Sequence, residues 1–121
     1  IGAFTLSTTS TAANTSGTGQ VTFGATALTG NATFNVTNGA TAATQVNLGA
    51  VTGSNTLTKT GNGLLVLAGS GAAFGGGVTV SAGTLRSTNA TGFGTGTITL
   101  SGGTLDPRGV NQTYSQNVDV T

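Results

Sequence analysis

The sequence predicts an all-β chain, and within that class a right-handed parallel β-helix (β-solenoid) of about 20 residues per coil, with roughly six coils over its 121 residues. Three observations carry this prediction. First, the composition suits strands and corners: 27 Thr, 22 Gly, 10 Asn and 9 Ser, with 27 further positions taken by Val, Ile, Leu and Phe. Second, no stretch of eleven residues keeps apolar side chains at helical three-and-four spacing without Gly or several Thr and Asn interrupting it. Third, Gly63-Leu64-Leu65, Gly83-Thr84-Leu85 and Gly103-Thr104-Leu105 recur at a spacing of 20, and Val78-Thr79-Val80 and Ile98-Thr99-Leu100 keep the same offset. Two separate strands sharing one offset indicate a single wrap of chain. With wraps stacked about 4.8 Å apart, Leu65, Leu85 and Leu105 then lie over one another in an interior column.

Taken in order, the strands are short alternating runs. Phe4-Thr5-Leu6 opens the chain, and 7–20, almost all Thr, Ser, Ala, Asn and Gly, reads as a long surface turn or loop. Then come Val21-Thr22-Phe23, Phe34-Asn35-Val36, Val46-Asn47-Leu48, Leu57-Thr58-Lys59, Leu65-Val66-Leu67, Val78-Thr79-Val80, Ile98-Thr99-Leu100 and Val118-Asp119-Val120. Gly61-Asn62-Gly63, Gly75-Gly76-Gly77 and Ser101-Gly102-Gly103 separate them, supplying the positive φ angles that sharp corners demand. The chain is expected to be one solenoid segment, 1–121, of a longer protein, with irregular coils over 1–54 and regular coils over 55–121.

Charge and residue inventory exclude several functions. Five residues are charged (Lys59, Arg86, Arg108, Asp106 and Asp119), and His, Cys, Met, Trp and Glu do not occur. Three basic residues cannot neutralise the row of phosphates that nucleic-acid binding needs, and no apolar run or basic amphipathic helix suits membrane insertion. Two Asp cannot supply the acid in every turn that solenoid calcium repeats require, and 13 residues between Asp106 and Asp119 put them in different parts of a coil, unlike the facing carboxylates of a glycosidase. The Gly-rich stretches contain no Gly-x-Gly-x-x-Gly and no Gly-Lys-Ser/Thr. No catalytic, cofactor-binding or metal-binding residue is therefore expected, and the chain is read as no enzyme.

The stretch Leu57-Thr58-Lys59-Thr60-Gly61-Asn62-Gly63-Leu64-Leu65-Val66-Leu67-Ala68-Gly69, followed by Phe74-Gly75-Gly76-Gly77-Val78-Thr79-Val80-Ser81-Ala82-Gly83-Thr84-Leu85, resembles the passenger-associated β-strand repeat of bacterial autotransporters. Gly94 to Leu100 and Gly102 to Asp106 look like its continuation. One departure is Ala72-Ala73-Phe74, where the family commonly has Asn-Thr-Tyr, so an Asn ladder is lost there while the aromatic is kept. The resemblance implies a secreted protein at the bacterial outer surface whose passenger is a β-helix. Its expected role is a rigid stalk, adhesin passenger or filament subunit, with self-association or neighbouring repeats as partners, or a glycan or host surface.

Each candidate residue has a plain structural reading. Lys59 could bind an anion or sugar, but one Lys with no carboxylate beside it in sequence is expected to point outward into solvent. Arg86 and Asp106, one coil apart, are expected to form a surface ion pair. Sequons at Asn14, Asn31, Asn35, Asn89 and Asn111 are scarcely more than chance gives at this Ser and Thr content. Thr56-x-Thr58-x-Thr60 and Thr95-x-Thr97-x-Thr99 raise an ice-binding ladder, which Lys59, Gly and the unequal spacing of the Thr pairs argue against. Phe4, Phe23, Phe34, Phe74, Phe93 and Tyr114 are read as coil plugs rather than as sugar-stacking platforms.

Overall fold

The computed structural model describes residues 4–6, 10–14, 20–37, 45–108 and 116–121, and of β1 and β2 only the backbone. These residues form β1 (Phe4–Leu6), β2 (Ser10–Asn14), β3 (Gln20–Phe23), β4 (Thr26–Leu28), β5 (Ala32–Val36), β6 (Gln45–Leu48) and β7 (Val51–Thr52). They continue with β8 (Leu57–Thr60), β9 (Leu64–Leu67), β10 (Val78–Val80), β11 (Thr84–Ser87), β12 (Ile98–Leu100), β13 (Thr104–Pro107) and β14 (Val118–Val120). No helix occurs among the described residues. Strand β2 corrects the expected loop over 7–20: the Ser10–Asn14 backbone pairs with β5, so a row of Ser, Thr, Ala and Asn is held extended by the adjacent strand. Residues 7–9 and 15–19 lie outside the described residues.

Every pairing is parallel, and the chain visits three sheets in rotation from β1 to β9 and then alternates between two of them from β10 to β14. The three-stranded sheet runs β1-β4-β7, the six-stranded sheet β14-β12-β10-β8-β5-β2, and the five-stranded sheet β13-β11-β9-β6-β3. Strands adjacent in a sheet therefore belong to successive wraps, the arrangement of a parallel β-helix. Backbone bonds join wrap to wrap between strands as well: Leu57 N–H donates to Gly77 O at 2.9 Å, and Thr104 N–H to Gly83 O at 2.8 Å. A further parallel bridge joins Gly53 to Phe74 beyond β7.

The register puts like residues on like. In the five-stranded sheet Leu65 pairs with Leu85 and Leu85 with Leu105, while Val46 and Val21 extend the column the other way. In the six-stranded sheet Ala32, Leu57, Val78 and Ile98 form one inward column. The chain length between partners is not constant. It is 25 residues from Ala32 to Leu57, 21 from Leu57 to Val78 and 20 from Val78 to Ile98. It is 19 from Val46 to Leu65. Turns absorb the differences; the ladders do not slip, because a one-residue slip would turn every inward apolar side chain out to water.

Phe34, Phe74 and Phe93 are fully buried in the core, and Phe23 packs against it half-buried, so these four plug the interior as expected. The side chain of Phe4 and all of Tyr114 lie outside the described residues. Two glycines show what the corners require. Gly61 has φ +75° and Gly83 has φ +69°, and a Cβ at either would press on backbone carbonyls of a neighbouring corner.

The columns make a graded prediction. Leu65→Ala and Leu85→Ala, at fully buried positions, should each lower unfolding stability by about 2–5 kcal/mol. Leu105→Ala, in the same column but only half-buried, should cost clearly less. Urea unfolding followed by circular dichroism reads the difference.

Candidate functional site

Lys59 is the residue that the sequence reading misplaced. It does not point into solvent: its exposure is 0 %, and in the six-stranded sheet it stands in an inward column between Phe34 and Val80. Strand alternation accounts for this. Lys59 lies two residues from Leu57, so whatever buries Leu57 also turns Lys59 inward, while Thr58 and Thr60 face out. The sequence contains this signal, and the lack of a partner carboxylate, on which the outward expectation rested, does not outweigh it.

The ammonium is satisfied by main chain instead of by a carboxylate. Nζ donates to the carbonyls of Thr60 at 2.6 Å, Gly61 at 2.7 Å and Ala82 at 3.2 Å, using all three of its N–H bonds. Thr60 and Gly61 belong to its own wrap and Ala82 to the next, so one side chain ties two corners together. Gly83 makes the fit possible, since a Cβ there would lie 2.6 Å from Nζ. Burial pushes the Lys59 pKa down from 10.5 to about 8.

The second charged group is on the outer face of the five-stranded sheet. Arg86 Nε donates to Asp106 Oδ2 at 2.8 Å, which is the expected ion pair between residues paired across β11 and β13. Arg108 Nε joins the same carboxylate at 3.1 Å. The hydrogen bond from Arg86 is the main cause holding the Asp106 carboxyl below its usual range. Two wraps back in the same register, beyond Val66, Asn47 Nδ2 donates across wraps to Thr22 Oγ1 at 3.2 Å, and within β6 Gln45 Nε2 donates to Asn47 Oδ1 at 2.8 Å. The column thus carries two separate polar contacts between wraps, Arg86 to Asp106 and Asn47 to Thr22, with the buried Val66 standing between them. Among the described residues no three acids, His or Cys gather in one place.

The outward Thr residues are better aligned than the spacing in the sequence suggested. Thr33 pairs with Thr58, Thr58 with Thr79 and Thr79 with Thr99, so unequal chain intervals still bring them into one file. Of the sequons, Asn31 is exposed and its Oδ1 accepts from Thr56 N–H at 3.0 Å. Asn35 is half-buried on the outer side of β5. Asn89 Oδ1 accepts from both N–H and Oγ1–H of Thr91 at 3.1 Å. Asn14 lies in β2, and Asn111 is outside the described residues.

The profile of the passenger-associated-transport-repeat family matches residues 57–86. That stretch runs from the start of β8 to Arg86 and contains the whole Lys59 clamp, from the ammonium to the Ala82 carbonyl and Gly83. No curated protein and no solved structure matches the chain.

Two outcomes are expected from substitution here. Lys59→Met, which leaves three inward carbonyls without their donor, should lower stability by about 2 kcal/mol near neutral pH. Between about pH 8 and 10.5 the unfolded chain holds the Lys59 proton more tightly than the folded one, so wild-type stability should rise with pH across that window. The difference between wild type and Lys59→Met, measured by denaturant titration at each pH, isolates this slope. Asp106→Asn at the partly exposed cluster should cost no more than about 1 kcal/mol.

Proposed function

We propose that this chain, with a passenger-associated transport repeat at residues 57–86, is a non-catalytic structural segment of a bacterial cell-surface or extracellular fibre. In this reading it is a right-handed β-helix of about six coils that acts as a rigid stalk, adhesin passenger or filament subunit. The observation that supports it best is the unbroken stacking of inward columns through successive wraps, from Val21 to Leu105 in the five-stranded sheet. Such a core gives stiffness along the stacking axis, because bending it would break ladder bonds and separate packed side chains together.

The charges serve the same end. Lys59 ties one wrap to the next from inside, and Arg86, Arg108 and Asp106 tie two wraps outside. The partners follow from the sheet ends. Among the described residues strand β14 pairs on one side only, and Val118 and Val120, which continue the two inward columns of its sheet, are exposed, Val120 by 77 %. Neighbouring coils of the same protein, or a second copy, would cover them by adding a further parallel strand.

Two measurements test the reading. Trypsin should cut the native chain first after Arg108, whose side chain is 62 % exposed, and leave the bonds after Lys59 and Arg86 intact; rapid cleavage after Lys59 would contradict the closed rod. Antibody raised against the chain should label intact cells that make the parent protein, whereas labelling only after permeabilisation would contradict the surface assignment.

A further inference from the structure

We propose that the outward face of the six-stranded sheet is a binding surface for an ordered water lattice, the surface of ice. The central file is Thr33, Thr58, Thr79 and Thr99, each opposite the next in register and each half-exposed between inward-facing neighbours. The intervals along the chain are 25, 21 and 20 residues, so the alignment is not the by-product of a strict repeat. Turns of different length converge on Thr at the same place.

A second file flanks it. Asn35 pairs with Thr60, Ser81 follows on the next wrap through Ser81 N–H to Lys59 O at 2.9 Å, and Ser101 Oγ donates to Ser81 Oγ at 3.4 Å. The face therefore presents a two-dimensional array of hydroxyl and amide groups. The Thr33, Thr58, Thr79 and Thr99 hydroxyls, half-exposed, have no hydrogen-bond partner among the described residues, which leaves their donor and acceptor capacity to solvent. Charge does not interrupt the array. Lys59, which in the sequence divides Thr58 from Thr60, is inside, and among the described residues the one charged side chain of this sheet that faces outward is Asp119, which stands beside Thr99 and ends the central file.

The spacing, which belongs to any parallel sheet, is compatible with this ligand, and the run of hydroxyls in register is what this face adds. Neighbouring strands hold equivalent hydroxyls about 4.8 Å apart, and alternate residues along a strand lie about 6.7 Å apart. A tetrahedral network of O–H···O bonds of about 2.75 Å places second-neighbour oxygens about 4.5 Å apart and repeats along its hexagonal axis after about 7.3 Å. Both repeats agree with those of the array to about a tenth. An insoluble polysaccharide would share the hydroxyl chemistry, but sugar recognition draws on exposed aromatic faces, and among the described residues no aromatic side chain lies on this face, Phe34, Phe74 and Phe93 being buried. Water needs no such platform.

The test is partition of the purified chain into slowly growing ice, together with thermal hysteresis. Wild type should be enriched in the ice. Thr58→Lys and Thr79→Lys, each placing a long cation in the central file, should be excluded like an ordinary solute while keeping the wild-type circular dichroism. Thr104→Lys, on the five-stranded sheet and already exposed, should behave as wild type. Exclusion of wild type from ice overturns the proposal, as does equal partition of a folded Thr79→Lys, or retention on insoluble chitin or cellulose in place of ice.

Discussion

Parallel pairing of each strand with the strand one wrap earlier is the constraint on which the rest of this molecule depends. It fixes which residue stands over which, and so converts a sequence poor in large apolar side chains into continuous interior columns. Val, Leu and Ile need cover only one face of each short strand, because the wraps above and below close the column. The ladder also satisfies the backbone polar groups that small side chains leave accessible.

The same constraint explains the two charged features. A buried ammonium is costly wherever water is excluded, yet the corners that follow β8 and precede β11 turn three carbonyls toward one point, and Lys59 occupies it. Positive φ at Gly61 and Gly83 is what turns those corners tightly enough. Outside, register brings Arg86 over Asp106 without any requirement for a designed surface. Both contacts join successive wraps, and they strengthen the stack in the direction where each wrap is otherwise held by ladder bonds and packing alone.

Much of this arrangement was legible in the sequence wherever spacing was regular. The 20-residue offset of Leu65, Leu85 and Leu105 gave the column, and the matching positions of Arg86 and Asp106 gave the ion pair. What the sequence concealed had physical causes. The Thr file was hidden because turns of unequal length separate its members, and a fixed offset cannot detect alignment restored by loops. Strand β2 was hidden because Thr, Ser and Ala carry little apolar signal of their own and are held in extended form by the neighbouring strand. Lys59 was readable by parity with Leu57, but desolvation cost is usually high enough that a lone Lys is placed outside; here the inward carbonyls, invisible in sequence, reverse that balance.

Register between wraps is open to direct measurement, since the chain has no cysteine of its own. Thr84 and Thr104 are outward partners across β11 and β13, and a pair of cysteines there would have Cα atoms about 5 Å apart, within disulfide reach. The account predicts that Thr84→Cys with Thr104→Cys forms an intramolecular disulfide readily under mild oxidation, and that Thr84→Cys with Asp106→Cys, shifted by two residues, does not. Failure of the in-register pair to close, or equal closure of the shifted pair, would contradict the stacked parallel architecture.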